Sequence, residues 1–280
     1  MYKKILAAVN EHLNSEIAAR YALNLAKACE AKLYLSFIAE SGLSRSDIES
    51  AEKAMKRLFL EAEVTGLPVE SIAETGNIFQ QIERTVRREG IDLVFASTRR
   101  EDVEKRFYVG TEARTLSVRL PCSVALVRVV HAGKLHPSRI LVPLKARIEH
   151  GKERAFFIAR LAEAFHARLL LFHAPKPMTK LFHGEIHLKP LEWEQRLPKD
   201  FSDLMGYVED YGVPLQRRIA PGAVGKSIVV EAASQRQDLI IMGASQRRLL
   251  GSFLKGNPVE ELLRQTPCNL IILKPVHEGS

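Results

Sequence analysis

The sequence has few of the residues that characterise disulfide-rich or membrane-spanning proteins. Only three cysteines (Cys29, Cys122 and Cys268) and one tryptophan occur in 280 residues, and aromatic residues make up 7%. An odd number of cysteines without a CxxC spacing excludes a disulfide scaffold and a zinc ribbon, and it favours a reducing compartment, most simply the cytoplasm. No apolar run approaches the ~18 residues needed to cross a bilayer. The first run, Ile5–Val9, meets Asn10 too early for a signal peptide, so we expect no membrane contact.

Charge of one sign is in slight excess but is not concentrated. Lysine and arginine total 41 against 33 aspartates and glutamates, which gives a net charge of +8, and the two signs are interspersed in both halves. Hydrophobic residues make up 46% and charged residues 26%, as in globular proteins. A nucleic-acid interface needs a basic face or a basic run with interleaved aromatics, so this pattern argues against nucleic acid as a partner.

The chain contains an internal duplication. The segment from Gly66 to Cys122 aligns with the second half without a gap at an offset of 146 residues, and the region around Ala19 aligns at an offset of 136. The difference between these offsets predicts an insertion in the second half, between Ala174 and Tyr211. A period this long repeats whole domains rather than the units of a solenoid.

The duplication predicts a first domain over residues 1–130, a linker over the polar residues 131–138 and a second domain over residues 139–276. In both halves, continuously apolar runs alternate with helical patterns, which is typical of parallel strands covered on both faces. The predicted strands are Ile5–Val9, Leu33–Phe37, Leu93–Ala96, Val124–Val129, Ile140–Leu144, Leu169–His173, Leu239–Met242 and Leu270–Leu273. The predicted helices are Ala18–Cys29, Ile78–Arg88, Ala155–Phe165 and Gly225–Ser234. We therefore predict two tandem Rossmann-like α/β domains, which bind ligands beyond the carboxyl ends of their strands.

The loop after the fourth strand of the second half carries a pattern suited to an anion. Gly243 follows the strand directly, and Gly256 precedes Asn257 and Pro258 at the start of a helical segment. Glycines at such positions let backbone N–H groups approach a phosphate, which a helix N-terminus also favours. A purely structural interpretation stays open, because Asn257 is a good N-cap and Pro258 fits the first helical position.

These residues resemble the universal stress protein family. The resemblance rests on the run Asp238-Leu239-Ile240-Ile241-Met242-Gly243, on the spacing to Gly256 and on the run from Thr266 to Leu273, and it covers residues 3–129 and 138–275. It implies a five-stranded parallel sheet in each half, with the last strands of the two halves paired within one chain. It also implies a non-catalytic, stress-response regulatory module that binds an adenine nucleotide such as ATP, or another anionic small molecule.

The sequence departs from the family's nucleotide motif, which is Gly, two residues, Gly, nine residues, Gly and a small polar residue. Gln246 replaces the middle glycine, and Lys145 stands where nucleotide-binding members usually place an aspartate. The aligned positions of the first half hold Ser97, Arg100, Gly110 and Thr111, with Asn10 at the aspartate position. The resemblance therefore implies weak nucleotide binding in the second half only. The implied site residues are Pro143, Leu144, Lys145, Ala174, Met242, Gly243, Gln246, Gly256, Asn257 and Pro258.

An enzymatic alternative rests on residues 220–227, which satisfy the relaxed phosphate-loop pattern. In this alternative, Gly225-Lys226-Ser227 would bind phosphates in a nucleotide hydrolase. The duplicated segment, residues 74–81, keeps the glycine turn but none of the Gly-Lys-Ser chemistry. No nucleophile with a base and an orienting acid is evident either, so we predict a protein that is not an enzyme.

Two weaker signals remain. His183 and His187 are four residues apart in the predicted insertion, but Gly184 weakens a helix there and no third ligand is nearby, so no metal site is expected. Basic residues recur in both loops after the fourth strands, which suits an anionic ligand as well as a solvated surface. They are Arg99, Arg100, Lys105 and Arg106 in the first half and Arg247, Arg248 and Lys255 in the second.

Overall fold

The computed structural model of the protein describes residues 1–98, 112–174, 198–220, 224–243, 262 and 264–276. The first half contains β1 (Lys4–Val9), α1 (Leu13–Ala28), β2 (Lys32–Ala39), α2 (Arg45–Val64), β3 (Val69–Thr75), α3 (Ile78–Glu89), β4 (Leu93–Ser97), α4 (Glu112–Arg119) and β5 (Ser123–Arg128). The second half contains β6 (Arg139–Leu144), α5 (Gly151–Ala164), β7 (Arg168–His173), α6 (Lys199–Glu209), β8 (Leu215–Ile219), α7 (Val224–Ser234), β9 (Leu239–Gly243) and β10 (Asn269–Lys274).

The strands form one continuous sheet in the order β3-β2-β1-β4-β5-β10-β9-β6-β7-β8. Strands are parallel within each half, whereas β5 and β10 pair antiparallel, with Leu126 opposite Ile272. Both halves therefore have the same strand order, and the order reverses between β1 and β4 and between β6 and β9. The predicted fold class, two tandem Rossmann-like halves, is confirmed.

All eight predicted strands are present, and no strand end differs from its predicted position by more than two residues. The apolar runs did not predict β3 and β8, which are the two edges of the sheet. Edge strands carry polar side chains because one side of their backbone stays unpaired, so β3 and β8 lack a continuous apolar run. The helices α2, α4 and α6 were not predicted either. The predicted starts of α1 at Ala18 and of α5 at Ala155 are wrong, because both helices begin with a more polar first turn.

The sheet is covered on both faces by separate apolar layers. One layer packs α1, α2, α5 and α6 against the sheet, and the other packs α3, α4 and α7. In the first layer, helices from the two halves meet across the junction between β5 and β10. The ring of Tyr21 lies 5.7 Å from that of Phe165, and the ring of Tyr2 lies 5.5 Å from that of Phe156.

A buried carboxylate also links the two halves. Glu153 on α5 accepts hydrogen bonds from the Tyr2 hydroxyl at 2.7 Å, from the Ser123 hydroxyl and from the backbone N–H of Val276 at 3.0 Å. Burial of a carboxylate is tolerated only when its oxygens are hydrogen-bonded. Burial and the nearby Glu153 raise the pKa of Tyr2 well above its ordinary value, so its hydroxyl keeps its proton and remains a donor.

A pair of duplicated aspartates performs the same structural task in each half. Asp92 accepts hydrogen bonds from the backbone N–H groups of Lys3 and Lys4, at 2.7 and 2.9 Å, where β1 begins. Asp238, its aligned partner, accepts from the N–H groups that begin β6, those of Ser138 at 3.0 Å and Arg139 at 3.1 Å. The match explains why an aspartate precedes the fourth strand of both halves.

Candidate functional site

A cavity of about 790 Å³ lies at the carboxyl ends of β6, β7 and β9. This is where the strand order of the second half reverses, because β6 is flanked by β7 on one side and by β9 on the other. Parallel α/β sheets bind ligands at this kind of position, since the loops leaving the two neighbouring strands diverge and leave a crevice. The volume is within the range of small-molecule sites.

The structure brings six of the predicted site residues together around this cavity. They are Pro143, Leu144 and Lys145 at the end of β6, Ala174 after β7, and Met242 and Gly243 at the end of β9. The other four, Gln246, Gly256, Asn257 and Pro258, lie outside the described residues. Six of the ten residues therefore share one cavity, and their role as a binding site stays a prediction.

The wall opposite the strand ends was not anticipated from the sequence. On one side, Phe172, Val224 and Ile228 extend the apolar surface begun by Met242. On another side, the wall comes from the first half, through the segment 118–121 between α4 and β5, and from residues 274–276 after β10. The antiparallel pairing places the start of β5 beside the end of β10, so the cavity adjoins the junction of the two halves.

The cavity is strongly cationic. Five basic side chains line it, namely those of Arg119, Lys145, Arg147, Arg154 and Lys274. Glu149 is the acidic side chain among the described lining residues. Lys274 already donates to the carbonyl oxygens of Leu120 and Cys122, at 2.9 and 3.0 Å, and burial lowers its pKa. The guanidinium of Arg119 stacks over the Phe79 ring at 4.4 Å.

Arg154 lies at the end of β9, where the predicted anion loop begins. A Cβ atom placed on Gly243 would overlap the guanidinium of Arg154, so the arginine lies directly against the backbone at the end of β9. Burial lowers the pKa of Arg154 to about 10, although the nearby Glu149 and Glu153 act in the opposite direction. The group is charged at neutral pH, but its charge is poorly solvated.

The loop before α5 supplies further lining residues of the cavity. In the first half only residues 10–12 separate β1 from α1, whereas residues 145–150 separate β6 from α5. The longer loop supplies Lys145, Arg147 and Glu149 to the cavity and ends at His150, whose φ of 54° is left-handed. A left-handed backbone at a non-glycine residue costs about 1–3 kcal/mol and is concentrated at functional sites.

The first half differs at the positions that correspond to Lys145 and Gly243. Asn10, aligned with Lys145, is engaged in its own loop: its side-chain oxygen accepts from the N–H of His12 at 3.0 Å, and its N–H donates to Ser15 at 2.9 Å. Ser97 ends β4 where Gly243 ends β9. Arg100, Gly110 and Thr111 lie outside the described residues.

Comparison of the two halves could have revealed Arg154 from the sequence. It stands one position before Ala155, whose aligned partner is Ala19, so the first half has Ala18 in its place. Ala18 is buried. A buried alanine replaced by arginine in an otherwise similar helix indicates either a cavity or a partner for its charge.

The Gly-Lys-Ser residues of the phosphate-loop alternative do not line this cavity. Lys226 is exposed on α7, Gly225 is buried and Ser227 is half-buried, and none of the three lines the cavity. Val224 and Ile228 do line it, so the face of α7 that carries Lys226 is turned elsewhere. Residues 221–223 of this segment are outside the described ranges.

The remaining weak signals cannot be placed. His183, His187 and the basic residues of both loops after the fourth strands lie outside the described residues. Within the ranges that the structure covers, no group of three histidine, cysteine or acidic side chains is arranged to hold a metal ion. None of the helices in those ranges is long and apolar enough to cross a membrane.

The duplicated halves, the mirrored strand order and the cavity at the second reversal point define a tandem doubly wound α/β protein. The chain belongs to the universal stress protein family, because the model of that family matches residues 1–128 and matches again over residues 137–274.

Individual relatives agree with this assignment. A Thermus aquaticus protein described as "Universal stress protein in QAH/OAS sulfhydrylase 3'region" is 26% identical over 130 residues, which are 45% of this chain and 91% of that protein. A universal stress protein structure from Archaeoglobus fulgidus DSM 4304 superposes with a TM-score of 0.64 at 16% identity, covering 99% of this chain and 97% of the other. A putative universal stress protein from Pseudomonas aeruginosa UCBPP-PA14 gives a TM-score of 0.62 at 20% identity, covering 98% and 94%. At these identities the solved structures show a common fold.

Proposed function

We propose that the protein is a non-catalytic, stress-response regulatory module whose second half binds an adenine nucleotide such as ATP, weakly. The observation that carries this proposal is the cavity at the ends of β6 and β9, which is lined by six residues of the nucleotide site that the sequence predicts. Its volume suits a ligand of nucleotide size, and its basic lining suits phosphates.

The cavity lining offers an apolar surface for one part of such a ligand and a charged surface for another part. Leu144, Ala174 and Met242 offer an apolar wall for the adenine, while Lys145 and Arg154 offer positive charge for the phosphates. An ammonium group is a donor only, so Lys145 cannot accept a hydrogen bond from a ribose hydroxyl. We therefore propose modest affinity, which should fall further at high salt because Lys145 and Arg147 are not fully buried.

We propose that residues 1–130 and 139–276 act as two domains joined by the linker 131–138, and that they pair within the chain through β5 and β10. The antiparallel ladder between these strands supports the pairing. Asn269 supports the linker assignment, because its side-chain oxygen accepts from the N–H groups of Val130 and His131, at 2.8 and 2.9 Å.

We also propose a cytoplasmic location and the absence of enzymatic turnover. All three cysteines are free thiols, and burial raises the pKa of Cys29, Cys122 and Cys268 to about 12, so none is poised to act as a nucleophile. The exposed position of Lys226, away from the cavity, gives no support to a phosphate-loop hydrolase.

Calorimetric titration with ATP tests the proposed ligand and its location. The wild type should bind one equivalent weakly, Gly256→Val should lose binding, and Gly110→Val, the aligned change in the first half, should retain it. Equal binding by wild type and Gly256→Val, or loss of binding in Gly110→Val, would show that the site is assigned to the wrong half.

A further inference from the structure

We propose that Arg154 is the specificity-determining residue of the cavity, and that it binds the phosphate group of the ligand directly. The inference deepens the proposed function, on which it rests for the choice of ATP as a probe. It assigns phosphate recognition to a side chain of α5, in addition to the glycine-containing loop that the sequence suggested.

The first line of evidence is the pairing of Arg154 with Gly243. The guanidinium fills the volume that any side chain at position 243 would require. In the first half the aligned residues are Ala18 and Ser97. A short alanine therefore stands in place of the arginine, and a residue with a side chain stands in place of the glycine. The exchange is what is expected if Gly243 makes room for the arginine as well as for a ligand.

The second line of evidence is the charge balance around Arg154. Its neighbour in sequence, Glu153, is turned towards Tyr2, Ser123 and the N–H of Val276. Among the described residues, no ion pair involves Arg154. Arg154 is half-buried, and the nearby Glu149 and Glu153 only partly offset the burial of its charge, so it gains more from a bound anion than an exposed lysine does.

The third line of evidence is the geometry of the cavity. Arg154 lies at the carboxyl end of β9, with Lys145 from the end of β6 also lining the cavity and an apolar wall formed by Met242 and Phe172. A guanidinium presents two parallel N–H groups that match two oxygens of a phosphate, which makes it more selective than a lysine ammonium. The cavity therefore suits a ligand with an apolar body and a phosphate at one end.

The test compares two probes, ATP and inorganic pyrophosphate, on the full-length chain. Arg154→Gln should weaken the binding of both probes by about tenfold or more, since it removes a charge-assisted contact. Lys152→Gln is the matched control, because it removes the same charge from an exposed position on the same helix, and it should change neither affinity by more than about twofold.

A second variant guards against a folding artefact. Gly243→Ala keeps the arginine but forces its guanidinium away from the strand end, so it should weaken the binding of both probes as Arg154→Gln does. The double variant should be no weaker than Arg154→Gln alone, because both changes remove the same contact. Circular dichroism should show wild-type secondary structure for all variants.

The outcomes separate this inference from the proposed function. Unchanged ATP affinity in Arg154→Gln overturns the inference and leaves nucleotide binding standing. Binding of pyrophosphate that depends on Arg154, with no binding of ATP, supports the inference and overturns the nucleotide proposal. Absence of binding of both probes to the wild type overturns both.

Discussion

The guanidinium of Arg154 occupies the space that a side chain at Gly243 would need, so the two residues are structurally interdependent. The glycine that resembles part of a phosphate cradle therefore has a second physical reason to lack a side chain. The aligned pair in the first half, Ala18 and Ser97, has no long side chain that would require a glycine at the strand end. This difference distinguishes the two otherwise similar halves.

The interdependence predicts non-additive stability changes. Gly243→Ser should lower the free energy of unfolding by about 1 kcal/mol, because the displaced guanidinium must find a new position. In an Arg154→Ala background the same serine should be nearly neutral, since the double variant reproduces the pair found in the first half. Urea unfolding of the four proteins measures the coupling, which should exceed about 0.5 kcal/mol. Additive effects would contradict the steric link.

The buried carboxylate at the junction of the halves gives a second prediction. Glu153→Ala should lower the free energy of unfolding by about 3 kcal/mol or more, because it removes the carboxylate acceptor of the Tyr2 and Ser123 hydroxyls and one of the two acceptors of the Val276 N–H. Glu163→Ala on the same helix is the control. Its ion pair with Arg160 is largely exposed and should contribute less than about 1 kcal/mol. Equal losses in the two variants would show that the buried network is not important for stability.

The core of the fold could be predicted from the sequence because eight of the strands are buried along most of their length and contain a continuous or nearly continuous apolar run. The edge strands β3 and β8 could not, because their exposed sides are polar and their runs are broken. Strand order is a property of packing between distant segments, and no local pattern encodes it. The position of Leu144, Met242 and Gly243 beside one another at the cavity was predictable, because these residues lie at the ends of apolar strands.

Arg154 was missed for a different physical reason. It lies on a helix, and a single arginine in a helical pattern is normally assigned to the solvated face. It occupies the position on α5 that corresponds to the buried Ala18 on α1, and its guanidinium reaches the end of β9. The walls contributed by residues 118–121 were missed because they belong to the other half of the chain, and only the antiparallel pairing of β5 with β10 brings them to the cavity.

Asp238 predicts a specific dependence of stability on pH. Burial alone would raise its pKa, but hydrogen bonds from Lys134 and Ser138 outweigh burial and hold the pKa below the ordinary value of 3.8. A carboxylate with a lowered pKa stabilises the fold at pH values above 3.8, and this contribution disappears as the pH falls through the lowered value. Asp238→Asn should therefore be less stable than the wild type at pH 7.

The difference between wild type and Asp238→Asn should shrink as the pH is lowered below 3.8, because the wild-type aspartate is then protonated as well. Urea unfolding at successive pH values measures it. Asp203→Asn, at an exposed position on α6, should show only a small difference at every pH. A gap for Asp238→Asn that stays constant into strong acid would contradict the role assigned to its charge.

Turnover is the subject of the fourth prediction. ATP hydrolysis should stay at a slow background, and Lys226→Ala should leave it unchanged, because Lys226 is exposed and does not line the cavity. A phosphate-release assay with and without magnesium measures this. Hydrolysis that requires magnesium and is abolished by Lys226→Ala would instead establish the phosphate-loop alternative.

The junction between the halves gives the last prediction. A fragment of residues 139–280 retains all five of its strands, but it exposes the edge of β10 that normally pairs with β5. It also exposes Phe156 and Phe165 on α5, which lie against Tyr2 and Tyr21 of the first half. An unpaired apolar edge next to an apolar helix face should recruit a second copy, so we expect a folded homodimer by circular dichroism and light scattering.

Addition of residues 1–138 should convert this homodimer into a one-to-one complex, because the native partner also supplies Tyr2 and Ser123 to Glu153. An unfolded fragment, or a folded one that ignores residues 1–138, would show that the two halves are not independent domains paired through β5 and β10.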